Sequence, residues 1–140
     1  VGQGPTVVYK TWKAGKYPVY TNEHDSRISS RKVRLGAYGD PAAVPYSILK
    51  HLTNTALGFT GYTHQIDHSN FDSRVLEFCQ ISTDTEKQTK QAYKYKRGTF
   101  RVVTDKVQAL PYETECLADS KGIECRDCMR RGSIAIQRCC

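Results

Sequence analysis

The sequence predicts a single α/β domain over residues 1–140, with an open, mostly parallel sheet or a partial β/α barrel and a C-terminal cysteine-rich loop. Three observations predict this class. Short apolar segments alternate with segments of helical periodicity, an order that right-handed crossovers convert into parallel sheets. The 140 residues, 39% of them hydrophobic, suit one compact core. The predicted strands are too few for a closed eight-stranded barrel.

The first third of the chain predicts a helix, a loop and a strand. Gly4-Pro5 precedes an apolar stripe and Gly15 follows it, which predicts a short helix, because proline suits a first turn and glycine suits a helix end. Residues 20–32 are polar without periodicity and predict a loop. Residues 33–38 predict a buried strand, which the turn residues Gly39-Asp40-Pro41 end.

The middle of the chain predicts a helix followed by two strands. Apolar residues recur at helical spacing over residues 44–56, and Gly58 ends this predicted helix. Residues 59–63 predict the second strand. Residues 64–74 are polar and predict a surface segment, and the apolar run 75–81 predicts the third strand.

The last third predicts a helix and two further strands around the cysteines. Thr83 and Glu86 have the spacing of a capping box, which predicts a helix that continues to about residue 96. Residues 99–103 predict the fourth strand and residues 133–137 the last one. The segment between these two strands holds most of the cysteines and predicts a loop.

The net charge and the distribution of apolar residues limit the classes of partner that we expect. A formal net charge of +7 favours anionic partners such as nucleic acid, although many basic surfaces are only solvated faces. No apolar run approaches the roughly 18 residues of a membrane span, so we expect no membrane-spanning segment. The sequence contains no P-loop, no G-x-S-x-G, no H-E-x-x-H and no G-x-G-x-x-G motif.

The candidate ligand site is at the carboxyl ends of the predicted strands. In parallel α/β folds the ligand crevice lies beyond these ends, and the residues there are polar after every one of the first four strands. We therefore expect them to form one rim that binds an undetermined small ligand. The ligand-binding candidates are Asp40, Tyr62, His64, Gln65 and Asp84.

Asp40 and His64 are the catalytic candidates within this rim. Asp40 either caps the helix that follows the Gly-Asp-Pro turn or offers a carboxylate to a ligand amine, a hydroxyl or a metal. His64 is either a structural histidine that hydrogen-bonds to backbone or a group that moves protons near neutral pH. Enzymatic activity stays open at this point.

The six cysteines divide into one isolated residue and a C-terminal cluster. Cys79 stands alone in an apolar run and is predicted to be a core thiol. The C-x2-C spacing from Cys125 to Cys128 allows two thiolates to bind one metal, so we predict a site for zinc or an iron–sulfur cluster. Disulfides are the alternative. The predicted ligands are Cys116, Cys125, Cys128 and Cys139, with Cys140 as the alternative fourth ligand.

A basic stripe is the candidate nucleic-acid surface. Helical spacing puts four basic residues on one face of the predicted helix, close in sequence to three aromatic residues, a combination that binds phosphates and stacks bases. The alternative is a solvated charged face. The basic residues are Lys87, Lys90, Lys94 and Arg97, and the aromatic ones are Tyr93, Tyr95 and Phe100.

Two sequence blocks carry a resemblance over nearly the whole chain. The block Gly-Ala-Tyr-Gly-Asp-Pro at residues 36–41 and the block Gly-Tyr-Thr-His-Gln at residues 61–65 resemble a family of uncharacterised bacteriophage proteins. The resemblance implies a phage protein of unassigned activity, located in the cytoplasm of an infected or host cell, or in the virion among other virion proteins. Because the chain begins at Val1, we also expect a segment upstream.

The pattern is distantly similar to that of radical S-adenosylmethionine enzymes, which use a partial β/α barrel and a cysteine-held iron–sulfur cluster. That similarity implies that Asp40 and His64 face a cofactor site. The usual C-x3-C-x2-C triad is absent from these residues, so S-adenosylmethionine has no cluster motif to support it. Three hypotheses follow: a metal-stabilised ligand-binding protein, a virion or nucleic-acid-associated protein, and a radical enzyme whose cluster ligands precede Val1.

Overall fold

The computed structural model describes residues 4–103, 110–111, 113–116 and 135–138. Within them the chain alternates α-helices and strands, with short 3-10 helices in the connections. The strands are β1 Lys32–Leu35, β2 Gly58–Thr63, β3 Gln80–Thr83, β4 Thr99–Val103, β5 Thr114–Glu115 and β6 Ala135–Arg138. The helices are α1 Gly4–Lys13, α2 Tyr46–Thr55 and α3 Glu86–Ala92.

The six strands form one sheet in the order β1-β2-β3-β4-β6-β5, and every neighbouring pair is parallel. This confirms the predicted open α/β fold with a parallel sheet. The short strand β5 was not predicted, since two residues carry no periodicity that could reveal them. Most of the predicted cysteine-rich loop lies outside the described residues.

The strand order explains why α2 and α3 lie on the same side of the sheet. From β1 to β4 each strand is added beside the previous one in the same direction. Right-handed crossovers that all advance in one direction place their helices on the same face. We call this the packed face. It carries Leu35 beside Gly61, Thr63 beside Ile81, and Thr83 beside Arg101.

The other face is defined by the alternate residues of the same strands, because successive side chains in a strand point to opposite sides. We call it the polar face. Its residues are absent from both core clusters of the described part of the chain. They are Lys32, Arg34, Thr60, Tyr62, Gln80, Ser82, Phe100 and Val102.

Two apolar clusters fill the packed face. One joins Leu35 of β1 to Leu49 of α2 and includes Cys79, which confirms the prediction of a core thiol. Burial, with a smaller contribution from the negative charge of Asp40, raises the pKa of Cys79 to about 12, so the thiol is protonated at neutral pH. The second cluster joins Ile81 of β3 to Ala92 of α3.

The predicted third strand is wrong in its first half. Residues Ser73–Glu77 form a 3-10 helix, and the strand begins only at Gln80. The carboxylate of Asp72 accepts a hydrogen bond of 3.0 Å from the backbone N–H of Arg74, which starts the turn. Val75 and Leu76 of this turn are buried in different core clusters, so an apolar run of strand-like composition is used in helical geometry.

The predicted capping box is displaced by two residues. Thr85 is the N-cap of α3 and pairs with Gln88 rather than Thr83 with Glu86. Thr83 is still part of β3, where its hydroxyl lies 2.8 Å from that of Thr89 in the core. The helix also ends at Ala92 instead of residue 96, and a 3-10 turn follows it.

The end of β1, the start of α2 and the content of the loop before β1 also differ from the prediction. β1 stops at Leu35 because Gly36 has φ +71°, a left-handed conformation that suits glycine. A Cβ at Gly36 would lie 2.5 Å from Cδ of Pro41. α2 begins at Tyr46 after Pro45, and the predicted loop 20–32 contains the 3-10 helix Asn22–Arg27.

A buried ion pair connects β4 to the segment before β5. The guanidinium of Arg101 donates from Nε and Nη2 to the carboxylate of Glu113, with N–O distances of 2.7 and 2.5 Å. The two side chains are 7% and 0% exposed. Burial alone would raise the pKa of Glu113, but the hydrogen bonds from Arg101 and from the Leu110 N–H lower it overall.

The substitution Glu113→Gln tests this ion pair. It leaves the charge of Arg101 buried without its carboxylate, so we expect a loss of roughly 3–5 kcal/mol in the free energy of unfolding at neutral pH. Because the folded-state pKa of Glu113 is depressed, its stabilisation is present above the ordinary value of 4.5 and disappears as the pH falls through the lower folded value. Urea unfolding at pH 7 and at progressively lower pH measures both effects.

The matched control is Glu23→Gln, because Glu23 is exposed. We expect this control to unfold like the wild type at every pH. Equal stabilities of the Glu113→Gln variant and the wild type at neutral pH would contradict the assignment.

Candidate functional site

Asp40 connects the carboxyl ends of β1 and β2. Its Oδ1 accepts a hydrogen bond of 2.9 Å from the N–H of Ala42, and its Oδ2 accepts one of 2.8 Å from the N–H of His64. The first bond caps the 3-10 helix Pro41–Ala43, so Asp40 has the capping role that was one of its two interpretations. The second bond links the turn after β1 to the end of β2 and fixes the backbone at His64.

His64 and Asp84 face each other at this edge. The imidazole Nε2 of His64 lies 3.8 Å from Oδ1 of Asp84, and the side chains are 54% and 70% exposed. The backbone N–H of Asp84 donates to Oε1 of Gln88 at 2.9 Å, which holds the start of the turn after β3. Both functional groups are therefore accessible to a ligand.

The structure separates the other two ligand-binding candidates. Tyr62 lies on the polar face of β2, two residues before His64, and its ring centroid is 5.1 Å from that of Phe100 on β4. Gln65 is exposed and begins a 3-10 helix, where its backbone N–H donates to Oγ1 of Thr63 at 3.1 Å. The edge thus brings together Asp40, His64 and Asp84, with Tyr62 adjacent on the polar face.

The predicted metal ligands are largely outside the described residues. Cys116 is buried directly after β5, whereas Cys125, Cys128 and Cys139 are not described. In the part of the chain that the structure describes, no group of three or more His, Cys, Asp or Glu residues is arranged to hold a metal ion. The zinc or iron–sulfur site stays a prediction.

The predicted basic stripe does not continue along one helix. Lys90 Nζ lies 2.7 Å from Oε1 of Glu86, one turn earlier on α3. Lys94 lies in the 3-10 turn after α3, with its Nζ 4.9 Å from the ring centroid of Tyr95. Arg97 follows Lys96, whose φ of +50° ends the helical path, so of the four residues only Lys87 and Lys90 share α3.

A polar cluster that sequence reasoning missed connects the loop before β1 to α2. The hydroxyl of Tyr20 donates to the carboxylate of Asp25, and His51 Nε2 lies 3.0 Å from the same oxygen, Oδ1. The hydrogen bonds of Tyr20 and then His51 lower the pKa of Asp25. Because 26 residues separate Asp25 from His51, no local spacing indicates the contact.

Comparisons with protein families, with curated proteins and with solved structures find no match to this chain. The resemblances to a phage family and to radical S-adenosylmethionine enzymes therefore stay predictions. No helix among the described residues is long and apolar enough to cross a membrane.

The substitution Asp40→Ala tests the connection between β1 and β2. It removes the acceptor for two backbone N–H groups, each of which contributes on the order of 1 kcal/mol. We expect the free energy of unfolding to fall by about 1–3 kcal/mol in urea titrations.

The matched control is Asp67→Ala, which removes an exposed carboxylate from the 3-10 helix Gln65–Asp67. It should change stability by less than about 0.5 kcal/mol. If the two variants unfold at the same urea concentration, the bridging role of Asp40 is refuted.

Proposed function

We propose that the protein binds a small polar ligand at the carboxyl edge of its sheet and exchanges a proton with it through His64. The observation that carries the proposal is the accessible pair of His64 and Asp84, whose side chains approach within 3.8 Å across the ends of adjacent strands. Ligands of parallel α/β folds bind beyond these ends. An imidazole at such an edge suits proton transfer near neutral pH.

Asp40 has a positioning role in this proposal. Both of its carboxylate oxygens already accept backbone hydrogen bonds, one from Ala42 and one from His64. A carboxylate used in this way orients the backbone that carries the imidazole. Direct contact with the ligand is therefore assigned to His64 and Asp84, which have the exposed polar atoms.

The chemistry of the pair narrows the ligand class. The carboxylate of Asp84 accepts hydrogen bonds, while the imidazole of His64 both accepts and donates them according to its protonation state. A ligand that carries a hydroxyl or an amine can donate to Asp84 and pass a proton to His64. This favours sugars, amino alcohols and amino acids over purely apolar molecules.

Protection of His64 from diethyl pyrocarbonate tests the proposal. The reagent modifies accessible imidazoles, and mass spectrometry of peptides reports the modification of each histidine. With ribose, ethanolamine and L-serine as separate probes, we expect at least one to slow the modification of His64. His68 provides the internal control, because it is also exposed but lies four residues further along the chain.

Asp84→Asn should remove most of the protection, because the amide keeps the shape but loses the charge. Equal modification rates of His64 with and without every probe would argue against a ligand site at this edge.

We propose as a second function that a metal bound by the C-terminal cysteines holds β5 and β6 together. Glu115 pairs with Ile136 in the parallel ladder, so Cys116 directly follows β5 while Arg138, the residue before Cys139, ends β6. The buried Cys116 and this register support the use of thiolates from both strand ends. The metal would be zinc or an iron–sulfur cluster, with thiolates as its ligands.

Elemental analysis of protein purified without oxygen measures the metal content. We expect about one zinc per chain, or a cluster with visible absorption, and a loss of the metal in Cys116→Ser. Cys79→Ser is the matched control, since Cys79 is a core thiol and should leave the metal content unchanged. A metal-free protein with disulfide-bonded cysteines would reject this second function.

A further inference from the structure

α1 lies outside the core of the protein. None of its residues is buried, and none belongs to either core cluster of the described part of the chain. In residues 4–19, five large apolar or aromatic side chains are 49–83% exposed. A concentration of exposed apolar side chains is typical of a surface that contacts a partner or a membrane. We call this surface the apolar patch, and its residues are Val7, Tyr9, Trp12, Tyr17 and Val19.

The helical spacing shows which face of α1 lies on the rest of the protein. Gly4, Val8 and Thr11 are partly buried and share one face, because residues three and four apart are neighbours on a helix. This face contacts the turn after β1, since a Cβ at Gly4 would lie 2.9 Å from Cε1 of Tyr38. Every other residue of α1 is exposed, so most of the helix surface is accessible.

An aromatic pair and three lysines share this accessible surface. The rings of Tyr9 and Trp12 have centroids 5.8 Å apart. Lys13 follows Tyr9 by four residues, so the two are neighbours on the helix. Lys10 and Lys16 add two positive charges, and no Asp or Glu occurs between residues 1 and 22. Lysine stems lie along apolar surface while their ammonium groups stay in water, so the patch and positive charge occur together.

The net charge of the whole chain is concentrated in the same region. Residues 1–35 contain seven Lys or Arg and two Asp or Glu, and so carry five of the seven net positive charges. A local excess of one sign attracts a partner of the opposite sign. The occupant of the apolar patch should therefore be anionic and should also accept apolar side chains.

We propose that the apolar patch docks onto the surface of an anionic lipid bilayer. Aliphatic side chains enter the acyl boundary of a membrane, and Trp and Tyr rings prefer the interface above it. Lysines near the surface are attracted by anionic headgroups. α1 has ten residues and is roughly 15 Å long, half the roughly 30 Å of a bilayer core, so it lies in the plane of the surface and does not span it.

Other occupants fit the patch less well. A second copy of the chain would bring the lysines of two helices together, and like charges repel. An acidic peptide helix binds in a groove, whereas a single exposed helix is convex. Nucleic acid would use the lysines and the rings but would leave Val7 and Val19 in water. A bilayer surface accounts for the valines, the aromatic rings and the lysines together.

Trp12 is the only tryptophan of the chain, so its fluorescence reports directly on the patch. With vesicles that contain equal amounts of phosphatidylserine and phosphatidylcholine, we expect the emission to shift to shorter wavelength, because the indole leaves water. Vesicles of phosphatidylcholine alone should give little shift, and lipids brominated on their acyl chains should quench the bound protein. Added salt should weaken binding, since it screens the attraction between lysines and headgroups.

A matched pair of double variants tests the contribution of charge. Lys10→Gln with Lys13→Gln should weaken binding to the anionic vesicles roughly 30-fold, since each lysine near such a surface contributes about 1 kcal/mol. Lys87→Gln with Lys94→Gln removes the same charge from exposed positions on α3 and the 3-10 turn after it. This control should bind like the wild type, and equal weakening by both double variants would assign binding to net charge alone and overturn the proposal.

A second matched pair tests the contribution of apolar surface. Trp12→Ala should weaken co-sedimentation with the anionic vesicles roughly 10-fold, because it removes the largest side chain of the patch. Leu57→Ala is the control, since Leu57 is 67% exposed, close to the 63% of Trp12, but lies between α2 and β2. Equal sedimentation of Trp12→Ala and the wild type would contradict the proposal.

Three further outcomes would overturn the proposal. Unchanged emission of the wild type with anionic vesicles would show that the patch does not contact lipid. A shift that grows with protein concentration in the absence of lipid would assign the patch to a second copy of the chain. A shift with polyglutamate or with a deoxythymidine 12-mer, but not with vesicles, would assign it to an acidic peptide or to nucleic acid. His64→Ala should bind vesicles like the wild type, so the result is independent of the small-ligand site.

Discussion

The carboxylate of Asp40 determines the geometry of the edge on which the candidate site is built. Its two oxygens bind the N–H groups of Ala42 and His64, which belong to segments that follow different strands. Without this acceptor, two backbone donors at the ends of β1 and β2 lose a partner, and the backbone at His64 loses the contact that fixes it. The position of the imidazole relative to Asp84 depends in turn on that backbone. The same carboxylate that caps the 3-10 helix after β1 therefore also holds the backbone of His64, the residue to which we assign proton transfer.

The direction in which strands are added separates the two surfaces of the sheet. Because β1 to β4 advance in one direction, right-handed crossovers place α2 and α3 on the packed face, where Leu49 and Ala92 meet the sheet. Doubly wound sheets reverse direction and cover both faces with helices. This chain shows no such reversal between β1 and β4, so α2 and α3 share one face and the alternate residues of these strands belong to the other. The strand sequences reflect this division, since apolar Ile81 joins a core cluster while the polar residues on either side of it, Gln80 and the buried Ser82, do not.

The sequence predicted the fold class better than it predicted the boundaries of elements. Asp40, His64 and Asp84 were expected at one edge because parallel strands end there, and the structure places them in contact with one another, whereas their role in ligand binding stays a prediction. Periodicity failed at Val75 and Leu76, where an apolar run is divided between two cores by a 3-10 helix. Periodicity also misplaced the capping box, because Thr83 and Thr85 each precede a Glu or Gln by three residues. The burial of Thr83 against Thr89, a tertiary contact, leaves Thr85 as the N-cap. The contact between Asp25 and His51 depends on packing of distant segments and has no local signal.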